Sequence, residues 1–227
     1  MKKLICFVSL LILLGYLTPS ASAMVETLET IPRSEEDMVN YLEAIKLEIV
    51  HEEPRPSTID SFDVNQDGLL VVGDLDWTWA SVYSPEGKFL YGYKFEIYGS
   101  HTVFWNGENV CIYFIRSGIL ATFDENGTCL DFRELTTGAG NSDFIKSLNG
   151  TTERTVGGIT YKMERDIPVL GYSRIVAYED GQEPRILYDV TQSHNVHTIF
   201  KITLFLGWFG ICGYYSSKKR RNKKKQS

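Results

Sequence analysis

Six glycines divide the middle of this chain at repeating intervals. Gly68, Gly107 and Gly158 each open an apolar stretch, and Gly87, Gly127 and Gly181 each close a hairpin inside it. The separation within a stretch is 19, 20 and 23 residues. From the first stretch to the second the period is 39 or 40, and from the second to the third it lengthens to 51 or 54. The stretches read NQDGLLVVGDLDWTWASVYSPEGKFLYGYKFE, WNGENVCIYFIRSGILATFDENGTCLDFREL and TVGGITYKMERDIPVLGYSRIVAYEDGQEPRILYDV. Each has the same plan: an opening turn, an apolar strand, a second strand that ends at a hairpin glycine, then a third strand. The hairpin turns YSPEG, FDENG and YEDG place Asp, Asn, Pro and Gly where a tight turn needs their backbone angles. The extra length before the third stretch, TTGAGNSDFIKSLNGTTE, is expected to be an inserted loop.

A repeat of about forty residues holding several short strands resembles a β-propeller blade. The resemblance covers about Ser57 to Val190. It implies a mainly β fold of antiparallel meander sheets. Known propellers close with four or more blades, whereas three units are found here, so the expectation is an open or partial propeller. Such an arc leaves two sheet edges to be covered. Ahead of the repeats, Ser34 is a good N-cap, Glu35, Glu36 and Asp37 load a first turn, and Met38, Tyr41, Leu42 and Ile45 recur on one face. This predicts a short helix to about Ala44 or Lys46. A strand near Leu47 to His51 follows, and Pro54 and Pro56 then end regular structure. The helix and this strand are expected to cover one edge, and the juxtamembrane segment the other.

Both ends of the sequence read as addresses. Lys2 and Lys3, an apolar run from Leu4 to Leu17, and Ala21-Ser22-Ala23 follow the order of a secretory signal peptide, so the mature chain is expected to begin at Met24. Ile199 to Tyr215 is a seventeen-residue, mainly apolar segment whose Lys201, near its start, could snorkel to the interface, and seven basic residues follow between Lys218 and Lys225. A helix of that length spans about 26 Å, the short limit for a bilayer. The basic block places the C-terminus in the cytoplasm and the middle of the chain outside it. The expected organisation is a signal peptide over 1–23, a helix and strand over 24–56, a blade-like ectodomain over 57–192, a linker over 193–198, a transmembrane helix over 199–215 and a basic tail over 216–227. The layout is similar to that of bacterial membrane-anchored surface proteins with β-propeller-like repeats, a family that implies no particular activity. Between Met24 and Val196 there are 29 acidic against 13 basic residues, a net of −16. That charge disfavours nucleic acid and anionic lipid as ectodomain partners and favours cations and basic ones.

One acidic segment, FDVNQDGLLVVGDLDW, admits two readings. Asp63, Asn65, Asp67, Gly68 and Asp74 fall at offsets 1, 3, 5, 6 and 12, as in a calcium loop of EF-hand or dockerin type. Against calcium, the residues after Asp74 favour strand rather than the helix that fixes such a loop, and Val71 takes a ligand position. The other two units repeat the turn without the carboxylates. A β-turn accounts for all three, so no cofactor is expected, with Asp63, Asn65, Asp67 and Asp74 as the metal set if calcium binds.

The remaining chemistry is sparse. His194 and His197 stand near no third ligand, and Ser100, His101 and His51 belong to no nucleophile motif. Trp77, Trp79 and Trp105 could form an exposed aromatic platform, but large aromatics fill blade cores, and core packing is the expected role. Cys111 and Cys129 fall on strands that read as first and third of a meander, about 9–10 Å apart, too far for a disulfide. Asn126-Gly-Thr128 and Asn149-Gly-Thr151 fit glycosylation sequons. The expectation is a non-catalytic, single-pass surface protein that binds or senses an unidentified protein or glycan. The alternatives are an accessory subunit of a membrane complex, a cell-wall or glycan hydrolase, and a dockerin-like calcium-binding segment.

Overall fold

The computed structural model describes residues 28–54, 58–74, 78–136, 138–166 and 171–192. The expected signal peptide, linker, transmembrane helix and tail lie outside these residues. So do His194 and His197. Among the described residues, no helix is long and apolar enough to cross a membrane.

The fold is mainly β, with three antiparallel sheets and two helices. The first repeat unit is the four-stranded meander β3 (Ile59–Val64), β4 (Leu70–Asp74), β5 (Trp79–Tyr83) and β6 (Phe89–Lys94). The second is β7 (His101–Asn106), β8 (Asn109–Phe114), β9 (Ile119–Phe123) and β10 (Cys129–Leu135). The third is β11 (Glu153–Val156), β12 (Ile159–Glu164), β13 (Arg174–Glu179) and β14 (Arg185–Asp189). The three sheets fit blade-like units. Each holds one strand more than the sequence plan, because β3, β7 and β11 precede the opening glycine. All six marker glycines have positive φ, between 65° and 83°.

The fourth strands share a further feature. Leu90, Leu130 and Leu187 are each passed over in the pairing with the preceding strand, so each unit carries a β-bulge at one leucine. A bulge sharpens local twist and bends the strand, which suits sheets that must fan around a common centre.

Burial follows the order in which the sheets stack. The first unit lies in the middle. Val71, Ala80, Val82 and Tyr93 pack against the second unit, while Leu70, Val72 and Tyr83 pack against the third. Both faces of β4 are therefore covered, which is why its sequence is an unbroken apolar run. The second unit gives Val110, Ile112 and Phe114 to the first and turns Cys111 and Tyr113 the other way. The third unit is covered on one side only, and β12 alternates: Tyr161 and Met163 are buried, while Thr160, Lys162 and Glu164 are not.

The segment read as an inserted loop is a helix, α2 (Ala139–Asn149), and this corrects the expectation. Gly138 at its N-cap supplies no side-chain hydrogen bond, and Gly140, Asn141 and Ser142 are poor helix formers. Phe144 and Leu148 compensate by packing on the outer face of the second unit beside Phe104, Cys111 and Tyr113. Tertiary burial thus supplies what local propensity does not.

The N-terminal helix appears as α1 (Glu35–Ala44), with Ser34 and Asp37 forming a reciprocal capping box. It ends where Lys46 turns to φ 49° and the Leu47 N–H donates to the Leu42 carbonyl, a Schellman closure that uses lysine in place of glycine. The Tyr41 ring sits 5.5 Å from both Phe114 and Phe132. The expected strand is β2 (Glu48–Val50), and it pairs with β6 at the outer edge of the first sheet. The second sheet's edge is covered by β1 (Thr30–Pro32), a strand not anticipated, which pairs with β10.

The hairpin glycines also set how units meet. A Cβ on Gly87 would overlap the Leu187 carbonyl oxygen of the third unit, and one on Gly127 would lie 3.1 Å from Ile49 Cβ on β2. Gly181, at φ 78°, has nothing within 4 Å. Gly181→Ala should therefore cost only the backbone strain of a left-handed alanine, about 1–2 kcal/mol. Gly87→Ala should cost at least about twice as much, because backbone must move as well. Urea denaturation of both variants checks this, and equal losses would count against the unit contact.

Candidate functional site

The four residues of the acidic segment do not converge. Asp63 is on β3 and buried, with Oδ2 accepting the backbone N–H of Trp105 on β7 at 2.9 Å. Its Oδ1 accepts from Arg154 Nε on β11 at 3.0 Å. One carboxylate thus joins the innermost strands of all three units. Burial raises its pKa, opposed by Arg154 and by the Trp105 and Val64 N–H groups. Asp67 is exposed in the turn, whereas Asp74 is buried at the far end of β4, about 13 Å along the strand from Leu70.

Asn65 does something else again. Its Oδ1 accepts the N–H groups of Asp67 and Leu69, two and four residues on. Ser84 Oγ accepts from Glu86 and Lys88 in the same way, and Asp124 Oδ1 from Asn126 and Thr128. In each turn the first residue's N–H donates to the fifth residue's carbonyl, and the glycine N–H donates to the first residue's carbonyl. NQDGL, SPEGK and DENGT are therefore one device. It needs a side-chain oxygen first and a glycine fourth, and it is built equally well on serine. Among the described residues, no three His, Cys, Asp or Glu side chains are grouped to hold a metal ion.

Other residues singled out in the sequence are also placed. Trp105 is buried in the core between the first and second units, and its indole N–H finds no acceptor among the described residues. Trp79 is half-buried with Lys94 Nζ 5.9 Å above its ring, and Trp77 lies outside the described residues. His51 is exposed. His101 is fully enclosed, its Nε2 3.1 Å from the Trp79 carbonyl and its ring edge-on to Phe95. Cys111 and Cys129 are free, on β8 and β10 with β9 between them. Their neighbours on β9 are Thr122 and Phe123, which point to opposite faces, so the two thiols are on opposite sides of the sheet. Desolvation pushes their pKa values up to about 12 and about 11, which makes both poor nucleophiles.

What remains exposed is organised by rim. β3 and β7 run parallel, since Ser61 and Asp63 reach Val103 and Trp105 in step. With Gly68 beside Tyr161 and Gly87 beside Leu187, the six glycine turns share one rim of the body. The turns over 65–69, 84–88, 107–108, 124–128, 157–158 and 179–185 carry eight carboxylates against two cations, Lys88 and Arg185.

No protein-family model matches the chain, and no curated protein matches its sequence.

Three outcomes follow from this geometry. Asp63→Ala and Arg154→Ala should each cost about 3 kcal/mol, with the double variant well short of the sum, because the first strands the buried Trp105 N–H and the half-buried Arg154 and the second strands the buried Asp63. The melting temperature should not move between millimolar calcium and chelator, since Asp63 is already committed to Trp105 and Arg154. Burial lowers the His101 pKa to about 4. An unfolded histidine titrates near 6.5, so the unfolded chain binds the extra proton first and stability falls as pH drops from about 6.5 towards 4, by about 3 kcal/mol. His101→Gln should flatten that part of the pH–stability curve.

Proposed function

We propose that this is a single-pass, membrane-anchored extracytoplasmic β-repeat protein that acts as a non-catalytic binding module through its acidic turn rim. One observation carries the reading. Both ends of the described chain leave from the rim opposite the glycine turns: Thr30 pairs with Leu135 at the end of β10 and the Glu29 carbonyl accepts the Thr136 N–H, while β14 runs towards Asp189, with Val190 bonded to Ser173. A C-terminal anchor over 199–215 and an N-terminal signal segment therefore enter on one side, and the turns are presented on the other. The net charge of −16 over 24–196 fits a basic protein, or a glycan bearing cationic groups.

A second reading, an accessory subunit gripped along its side, draws on the outer edge of the second sheet. Ile31 on β1 and Leu130 at the β10 bulge are 53 % and 54 % exposed there. The test uses the intact anchored protein as bait in membranes. Under the binding-module reading, the variant Asp67→Lys/Glu125→Lys loses the captured partner and capture weakens steeply with salt. Capture that survives this variant but is lost with Leu130→Glu would replace it with the subunit reading.

A further inference from the structure

The rim opposite the glycine turns is built from the links between strands and units, and it carries one side chain out of keeping with its surroundings. Tyr98, in the link from β6 to β7, is 90 % exposed, while the next most exposed large apolar side chain among the described residues, Leu130, is 54 %. The link beneath it is braced. Ile97 packs against the main core, and Gly99, at φ 136°, sits so close to Arg116 that an added Cβ would lie 3.1 Å from its side chain. The residues on either side of the ring thus face inward or against Arg116, and the ring projects from between them. The same rim shows aromatic rings under cations, Arg165 4.1 Å over Tyr172 and Lys94 5.9 Å over Trp79, Lys94 also pairing with Glu48 at 2.6 Å. Lys46 and Glu96 pair at 2.7 Å and cancel.

We infer that this rim rests on the outer leaflet of the bilayer that anchors the chain, with the Tyr98 ring among the lipid headgroups and the glycine turns facing away. The inference rests on the proposed anchor over 199–215. From Gln192, the last described residue, to Ile199 is seven residue steps, which reach at most about 25 Å fully extended. The rim cannot stand far off. Tyrosine, with an apolar ring and a polar tip, suits the headgroup layer. The opposite orientation would push eight turn carboxylates towards the surface of a bilayer, where anionic lipid repels them.

The experiment uses the full chain in phospholipid vesicles, with Cys6, Cys129 and Cys212 changed to serine. Cys111, buried, is left in place. An environment-sensitive fluorophore is attached through Tyr98→Cys or, separately, Asp67→Cys. At 98 the emission should shift to the blue and lose most of its intensity to a quencher carried on lipid headgroups, and at 67 it should do neither. Protein that resists an alkaline wash yet is unquenched at 98, or equally quenched at both positions, overturns the orientation and leaves the anchor standing. Protein that washes off the vesicles overturns the anchor, and the orientation falls with it.

Discussion

The arrangement depends on a single buried carboxylate. Sheets of this kind end at their inner edge in a strand whose N–H groups have no further strand to donate to, and burying them unsatisfied is costly. Ser61 and Asp63 on β3 accept the N–H groups of Val103 and Trp105, so the inner edge of the second unit is satisfied by side chains of the first. Asp63 then uses its other oxygen to hold Arg154 of the third unit. A neutral residue could serve the second unit, and a cation pair alone could serve the third. Only an acid with two separable oxygens serves both.

Around that junction the units stack with the first in the middle, and the two outer faces are finished differently. α2 lays Phe144 and Leu148 over the far side of the second unit. On the far side of the third, Lys162 bonds Glu153 at 2.9 Å, Tyr178 donates to Glu164, and Arg174 lies near the same carboxylate. A hydrophobic cover at one end and a ladder of charges at the other leave neither face ready to accept another blade. The described residues accordingly form three blade-like sheets and no closed ring.

The rims divide the surface as the stacking divides the core. The glycine turns carry eight carboxylates on one rim, of which Asp124 also closes its own turn. The links at the other rim, where both chain ends depart, carry exposed Tyr98 and two aromatic rings beneath cations. The proposed binding role and the proposed orientation on the membrane rest on this asymmetry.

The six glycines, the strands between them, α1 and β2 were legible in the sequence because each is set by local rules: backbone angles that only glycine adopts readily, apolar alternation, and capping. The three-fold recurrence of the side-chain-capped turn was equally local, and it explains why an acidic segment imitates a calcium loop. Three things were not local. α2 forms on residues with little helical preference because a sheet face needs cover. β1 is three residues long and means nothing until β10 offers an edge. Asp63, whose spacing to Asn65 and Asp67 admits a ligand role only if calcium binds, meets Trp105 and Arg154, residues 42 and 91 positions away. Sequence determined the units, since strand and turn are decided within a few residues. Only tertiary structure decided their neighbours, since an inner strand's unpaired edge and a buried charge are satisfied by whatever the stacking brings within reach.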